Sequence, residues 1–136
     1  MTKVVLDTNA YVRYLAGETK VLDALARVDR VLMSVFVMGE LFAGFRAGVK
    51  EKQNRQLLDR FLSKPSVSLL EATAETAEYF GMIKAALKKS GTPIPMNDVW
   101  IAAHALETGS VLVTFDPHFL TVAGLRVWDE IGRAEP

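Results

Sequence analysis

Cysteine is absent from the 136-residue sequence. Its absence excludes disulfide bonds, thiolate nucleophiles and zinc or iron–sulfur sites with cysteine ligands. Long apolar runs are also missing. The run nearest the N-terminus is interrupted by Asp7, which argues against a signal peptide or a transmembrane segment there. We therefore expect a cytoplasmic protein that has no contact with membranes.

A net charge is lacking as well, because 16 lysines and arginines balance 16 aspartates and glutamates. This balance disfavours binding to nucleic acid or to an anionic membrane through bulk positive charge. It does not exclude a nuclease, since the local arrangement of charges matters more than their sum. The sequence is 50% hydrophobic and 24% charged, which is typical of globular proteins. We expect one domain over residues 1–131 and a frayed tail over residues 132–136.

Short apolar runs rich in β-branched residues alternate with segments of helical periodicity. The runs predict four buried strands and a weaker fifth one, at residues 4–6, 31–33, 67–70, 111–113 and 125–128. Helical stripes of apolar residues lie within residues 21–28, 57–62, 79–87 and 99–106, the last followed by Gly109. This alternation predicts an α/β fold with three layers, α/β/α, around a mainly parallel sheet of four to five strands.

Two aspartates follow predicted strands directly. Asp7 ends the first apolar run, and Asp116 follows the fourth run after Thr114 and Phe115. Ligands of parallel sheets bind outside the carboxyl ends of the strands, where both aspartates should lie. The alternative is that each aspartate is a turn residue or a helix N-cap.

Glu40 lies in a segment, residues 35–45, that is apolar on nearly every side. On a helix its neighbours three and four residues away include Phe36, Val37 and Gly44. An ionised carboxylate in apolar surroundings is costly unless a cation or several donors compensate. A salt bridge or a helix edge that reaches water is the alternative.

Asp98 follows Asn97 at the start of a predicted helix. Asn97 is a favourable N-cap and an acid in the first turn suits the helix dipole, so a structural role alone would explain both residues. The position nevertheless allows Asp98 to join the other acids at one edge of the sheet.

The four acids form a pattern that favours metal binding: Asp7, Glu40, Asp98 and Asp116. Four carboxylates packed without a cation would repel each other and raise one another's pKa. Hard divalent cations that prefer oxygen ligands, Mg²⁺ or Mn²⁺, relieve this repulsion, and four carboxylates match the charge of two such ions. Metal sites built from carboxylates suit phosphoryl chemistry.

Four segments in this order resemble the PIN-domain ribonucleases, and more narrowly the VapC-type toxins of bacterial or archaeal toxin–antitoxin pairs. They are residues 5–9, Ser34 with residues 39–41 and Gly44, residues 97–105, and residues 112–119. Each segment alone is a weak signal, whereas all four in order span nearly the whole chain. The resemblance implies a PIN-like fold.

The resemblance also implies roles for the site residues. Asp7, Glu40, Asp98 and Asp116 would bind Mg²⁺ or Mn²⁺ and form the catalytic site. A supporting set would hydrogen-bond to the acids and orient them, namely Thr8, Asn9 and Thr114. Metal-activated water would then hydrolyse an RNA phosphodiester and leave a 5′-phosphate and a 3′-hydroxyl. The implied partners are a VapB-type antitoxin and a second copy of the chain.

Two other functions stay open. One is a PIN nuclease for RNA maturation that has no antitoxin, and the other is a catalytically idle module that binds RNA or protein. The two histidines suggest a different mechanism, in which paired imidazoles cleave RNA without metal. We expect a structural role for His104 among its alanines, and a structural role or a place at the rim of the cleft for His118.

The predicted helix over residues 35–45 is apolar on more than one face. We expect a surplus of exposed apolar side chains, Met38, Phe42 and Phe45, to form a protein-binding groove. A central helix sandwiched within the core is the alternative. Gly39 and Gly44 are interpreted as close-packing positions.

Basic residues cluster after this helix. We predict that Lys50, Lys52 and Arg55 contact RNA, although a solvated helix face is the simpler explanation for any one of them. A second basic patch contains Lys84, Lys88 and Lys89.

Overall fold

A parallel four-stranded sheet forms the centre of the protein, whose computed structural model describes residues 2–128. The strands are β1 (Lys3–Leu6), β2 (Arg30–Ser34), β3 (Val67–Leu70) and β4 (Val111–Val113). Their order in the sheet is β3-β2-β1-β4, and each neighbouring pair is parallel. The predicted α/β fold with its parallel sheet is therefore confirmed, and the carboxyl ends of all four strands lie at one edge.

The predicted fifth strand is reduced to a single bridge in the described residues. Leu112 pairs with Val127, and the backbone bonds run from Leu112 N to the Arg126 carbonyl and from Trp128 N to the Leu112 carbonyl, each 2.8 Å. Leu112 of the short strand β4 thus forms both of these backbone hydrogen bonds. The predicted frayed tail, residues 132–136, lies outside the described residues.

Helices flank the sheet and join its strands. They are α1 (Thr8–Leu15), α2 (Thr19–Ala26), α3 (Val35–Ala47), α4 (Glu51–Leu62), α5 (Ala74–Ser90) and α6 (Met96–Thr108), with a 3₁₀ helix at Pro117–Thr121. The predicted helical stripes fall in α2, α4, α5 and α6, whereas α1 was not predicted. Within residues 2–128, no helix has both the length and the apolar character needed to cross a membrane.

The helix ends follow from local sequence. Asp7 caps α1 and Ser34 caps α3, in each case by accepting a backbone N–H. Gly91 ends α5 and Gly109 ends α6, both with positive φ, a conformation that glycine adopts without strain. The alternative in which Asn97 caps α6 is wrong, because the carbonyl of Pro95 already accepts the amides of residues 98 and 99 and the helix begins before Asn97.

Helix α3 buries only one stripe of its surface. Val37, Leu41 and Phe45 lie at four-residue spacing and enter the core. Phe45 is therefore a core residue, which corrects its assignment to a surface groove, while Met38 and Phe42 are half-buried. A central helix sandwiched within the core, the alternative, is also wrong, because Gly39, Glu40, Ala43 and Gly44 on the other side of α3 are exposed.

Gly39 and Gly44 of α3 do not lie at close contacts with other elements. Gly39 and Gly44 are exposed, and a Cβ built at either position meets no atom within 4 Å. Both lie off the buried stripe of α3, on the side that faces solvent. Their interpretation as close-packing positions is wrong.

His104 is a buried structural residue of α6. Its Nδ1 lies 2.8 Å from the Ser34 hydroxyl and its Nε2 lies 3.1 Å from the Glu71 carbonyl. Because a carbonyl only accepts, Nε2 carries the proton and Nδ1 accepts from Ser34. Burial lowers the pKa of the His104 imidazole, so the ring stays neutral and ties α6 to the ends of β2 and β3.

Candidate metal-dependent active site

The sheet brings the four predicted acids to its carboxyl edge. Strands β1 and β4 are adjacent and parallel, so Asp7 and Asp116 follow neighbouring strand ends. The Asp7 amide donates to the Val113 carbonyl at 3.0 Å and continues the ladder by one bond. Glu40 comes from α3, which starts where β2 ends, and Asp98 lies in the first turn of α6.

Asp7 is the buried acid of the group, with only 4% of its surface exposed. Its Oδ1 accepts the Thr8 amide at 2.8 Å, and its Oδ2 accepts the Thr114 hydroxyl at 2.7 Å. The pKa of Asp7 is raised to about 6, mainly by burial and to a smaller extent by the charges of Asp98 and Glu40, while these two hydrogen bonds oppose the shift. Ionisation of Asp7 is therefore costly, and a cation bound beside it would offset that cost.

Glu40 is exposed, contrary to the apolar surroundings expected for it. Its position is one residue before Leu41, and a rotation of about 100° per residue turns it away from the buried stripe. The Thr8 hydroxyl donates a hydrogen bond to Glu40 Oε1. Thr8 therefore links the acid of α3 to the start of α1, beside Asp7.

Asp98, Asp116 and His118 form a compact group at the same edge. The Nδ1 of His118 lies 3.2 Å from Asp116 Oδ1 and 3.5 Å from Asp98 Oδ2. Burial raises the pKa of Asp98. The contact with His118 opposes this shift, and the charges of Asp116 and Glu40 add to it. One ligand atom from each of the three residues lies within 4.8 Å of the others, a spacing that could hold a metal ion.

Two of the three predicted supporting residues, Thr8 and Thr114, hydrogen-bond to the acids, whereas the hydrogen bond of Asn9 is to the backbone of Phe115. Thr114 donates to Asp7 and accepts the Asp116 amide at 3.0 Å, so one hydroxyl connects two acids. Asn9 Oδ1 accepts the Phe115 amide at 3.1 Å and fixes the loop that precedes Asp116. Thr8 contacts Asp7 and Glu40, as described above.

The donor set fits a hard divalent cation. The charges of Asp98 and Glu40 act on Asp7, and those of Asp116 and Glu40 act on Asp98, in each case raising the pKa. Both ion pairs found at these acids within residues 2–128 are to His118, rather than to lysine or arginine. Carboxylate oxygens without a strong cation are the environment that Mg²⁺ or Mn²⁺ occupies in proteins.

Arg13 is a further residue next to the site that sequence analysis missed. Its guanidinium lies 3.9 Å from the ring centroid of Phe115 and forms a 3.3 Å ion pair with Glu18. Arg13 lies four residues after Asn9 on α1, so both share one face of the helix. The four-residue spacing between Asn9 and Arg13 was the available signal in the sequence, but it places the two side chains on one face only if α1 is a helix.

The predicted RNA contacts lie beyond the far end of α3. Lys50 and Lys52 are exposed, whereas Arg55 donates to Glu51 at 3.0 Å and lies 4.5 Å over the Phe42 ring. Helix α3 extends about 10 Å from Glu40 to its end, so this basic segment is a neighbour of the acidic edge rather than a part of it.

Comparisons with known proteins agree with this fold. The PIN domain family matches residues 4–125. The chain is 32% identical over 118 residues to ribonuclease VapC2 of Haemophilus influenzae, covering 84% of this chain and 86% of the relative. It is 27% identical over 132 residues to the tRNA(fMet)-specific endonuclease VapC of Salmonella typhimurium, covering 95% and 98%.

A solved structure shows the same likeness in three dimensions. The DNA-bound VapBC from Salmonella typhimurium superposes with a TM-score of 0.84 and 27% identity, covering 94% of this chain and 98% of that chain. Four parallel strands, an acidic edge and the family match thus lead to one conclusion. The chain belongs to the PIN-domain family and is similar to its VapC ribonucleases.

Proposed function

We propose that this protein is a metal-dependent endoribonuclease that acts as the toxin of a VapBC-type pair. The observation that supports this most is the convergence of the four acids on one edge, where burial, together with the charges of Asp98 and Glu40, raises the pKa of Asp7. A buried carboxylate with a raised pKa in an acidic cluster is typical of a functional site. The names of the similar proteins support RNA as the substrate.

The chain's own residues would prepare this chemistry. A bound Mg²⁺ or Mn²⁺ supplies Lewis-acid stabilisation and lowers the pKa of water for attack on the phosphodiester. Asp7, Glu40, Asp98 and Asp116 would provide its oxygen ligands. The Thr114 hydroxyl donates to the carboxylate of Asp7 and would orient it as a ligand.

Incubation of total cellular RNA with the protein tests this proposal. We expect discrete cuts with 5′-phosphate and 3′-hydroxyl ends in Mg²⁺ or Mn²⁺, loss of cleavage in excess EDTA, and recovery when the metal is restored. The name of the Salmonella relative makes tRNA the first fraction to map. Undiminished cleavage in EDTA would contradict the metal-dependent mechanism and favour the imidazole alternative.

We also propose that Lys50, Lys52 and Arg55 guide RNA toward the acids. Lys50 and Lys52 are exposed and Arg55 is half-buried, and cations near an acidic metal site attract phosphates without occupying the site. Replacing all three by alanine should weaken RNA binding at low salt. The slope of log K against log salt should fall by about 2, since each lost phosphate contact on single-stranded RNA contributes about 0.7.

A matched control uses the second basic patch. Lys84, Lys88 and Lys89 are exposed on α5, and their triple alanine variant has the same change in net charge. Filter binding at several salt concentrations measures both slopes. Equal slopes for the two variants would show that only net charge matters and would remove the specific role of the first cluster.

The partner we propose is a VapB-type antitoxin, together with a second copy of this chain. The similar Salmonella structure is a VapBC complex. Half-buried Met38 and Phe42 on α3 leave apolar surface near Glu40 for such contacts. Light scattering of the purified chain measures dimer formation. We also propose that the protein acts in the cytoplasm, because its proposed substrate is cellular RNA.

The alternative function is RNA maturation by a PIN nuclease without an antitoxin. The genomic neighbourhood discriminates between the two, because a small adjacent gene for a DNA-binding protein favours the toxin. A catalytically idle binding module is disfavoured by the acids, which form one cluster rather than four separate helix caps. Asp7 and Asp116 do cap helices, yet each also faces another acid or His118.

A further inference from the structure

We propose that His118 is a ligand of the divalent cation, so that the site has one nitrogen donor in addition to its carboxylates. This inference rests on the proposed metal-dependent function. The resemblance to PIN ribonucleases assigns only acids to the metal. The position of His118 is therefore a property read from this chain's structure.

The distances suit joint ligation by His118 and two acids. Nδ1 of His118 lies 3.2 Å from Asp116 Oδ1 and 3.5 Å from Asp98 Oδ2. Adjacent ligands of an octahedral ion with bonds of about 2.1 Å are about 3 Å apart. Nδ1 already has nearly this spacing from each acid, and all three ligand atoms lie within 4.8 Å of one another, so one cation could be bound between them.

The backbone holds His118 in this place from both sides. Its amide donates to Asp116 Oδ1 at 2.9 Å, and its carbonyl accepts the Thr121 hydroxyl at 2.9 Å. These bonds shape the 3₁₀ helix that begins at Pro117. The 3₁₀ helix therefore places His118, two residues after Asp116, next to that acid.

The imidazole of His118 is more than half exposed. Its side chain is 53% exposed, and its ion pairs within the described residues are with the two carboxylates. A solvated histidine is free to point away from the site, whereas this one turns Nδ1 to the acids. Such an arrangement is expected of a ligand or of a group that contacts the ligands.

A nitrogen donor would change the preference of the site among metals. Mg²⁺ is a hard cation that favours oxygen, while imidazole is a common ligand of transition metals. His118 should therefore contribute more to the binding of Mn²⁺ than to that of Mg²⁺. Loss of the imidazole should bring the two affinities closer together.

Pulsed electron paramagnetic resonance of the Mn²⁺-loaded protein tests ligation without any activity measurement. We expect ¹⁴N modulation from a directly bound imidazole in the wild type and its loss in His118→Gln. Leu120→Ala is the matched control, because Leu120 is exposed on the same 3₁₀ helix, and it should retain the modulation. Calorimetric titration should show Mn²⁺ binding about tenfold weaker in His118→Gln and Mg²⁺ binding less than about threefold weaker.

Each contrary outcome is decisive. Bound Mn²⁺ without ¹⁴N modulation in the wild type would overturn ligation by His118 and leave the carboxylate site intact. Modulation that persists in His118→Gln would assign the nitrogen to another residue and also overturn it. If Mn²⁺ does not bind the wild type at all, both this inference and the metal-dependent function fail.

Discussion

Replacement of Asp98 by asparagine is expected to lower the rate of RNA cleavage by at least about a thousandfold. The change removes one negative ligand from the proposed metal site while it keeps the shape of the side chain. Metal-assisted stabilisation of the transition state contributes several kcal/mol, and about 4 kcal/mol corresponds to a thousandfold in rate. Single-turnover cleavage with saturating Mg²⁺ measures the loss.

The fold of the Asp98→Asn variant should be unaffected. Burial raises the pKa of Asp98, and the charges of Asp116 and Glu40 add to that shift, so a neutral side chain relieves repulsion in the metal-free protein. Its Tm should equal or exceed that of the wild type. Asp23→Asn is the matched control, since Asp23 is an exposed residue of α2. An Asp98→Asn variant that retains activity within tenfold of the wild type would refute the proposed site.

The second large effect is a loss of metal-free stability as pH rises, caused by Asp7. The pKa of Asp7 is about 6 in the folded protein against 3.8 for an ordinary aspartate. The native state therefore binds the proton more tightly than the unfolded state. This favourable contribution is complete below pH 3.8 and is lost between pH 4 and 6, amounting to about 3 kcal/mol by pH 7.

Replacing Asp7 by asparagine should remove this dependence. At pH 7.5 without metal, we expect the free energy of unfolding of Asp7→Asn to exceed that of the wild type by about 1 to 3 kcal/mol. The gain is smaller if the amide satisfies Thr8 and Thr114 less well than the carboxylate does. Urea denaturation at pH 4, 6 and 7.5 gives the difference in free energy of unfolding between the two proteins. The contributions of the other acids are nearly the same in both proteins and largely cancel in this difference.

Mg²⁺ should reverse the order of stabilities. A cation that binds only the native wild type stabilises it in proportion to the logarithm of its concentration over Kd, whereas Asp7→Asn has lost a ligand. An equal response of both proteins to Mg²⁺ would exclude Asp7 from the metal site. A wild type whose stability relative to Asp7→Asn is constant between pH 4 and 7.5 would contradict the raised pKa.

The positions of the acids along the chain were enough to predict where they meet. Asp7 and Asp116 each follow an apolar run, and parallel strands have their carboxyl ends at one edge. The sheet could be predicted because its strands are short, buried and rich in β-branched residues. Gly109 marked the end of α6 for an equally local reason, its freedom to adopt positive φ.

Burial of the individual acids could not be predicted in this way. The apolar neighbours of Glu40 indicated a buried carboxylate, yet Val37 and Leu41 define the inward stripe of α3 and leave Glu40 exposed. Asp7 is buried instead, because β1 has a neighbour on each side and its end is covered by Thr114 from the loop after β4. Local pattern gives the periodicity of a helix, whereas packing selects the face that turns inward.

Contacts between distant segments were likewise beyond local pattern. His118 meets Asp98 across 20 residues of sequence, and Arg13 covers Phe115 across more than 100. Residue types and spacing therefore determine the acidic edge and its chemistry. The tertiary structure decides the pKa shifts of Asp7 and Asp98 and the position of His118 beside the acids. Both depend on how the helices and the segment after β4 pack against the end of the sheet, because desolvation and distance exist only in the folded chain.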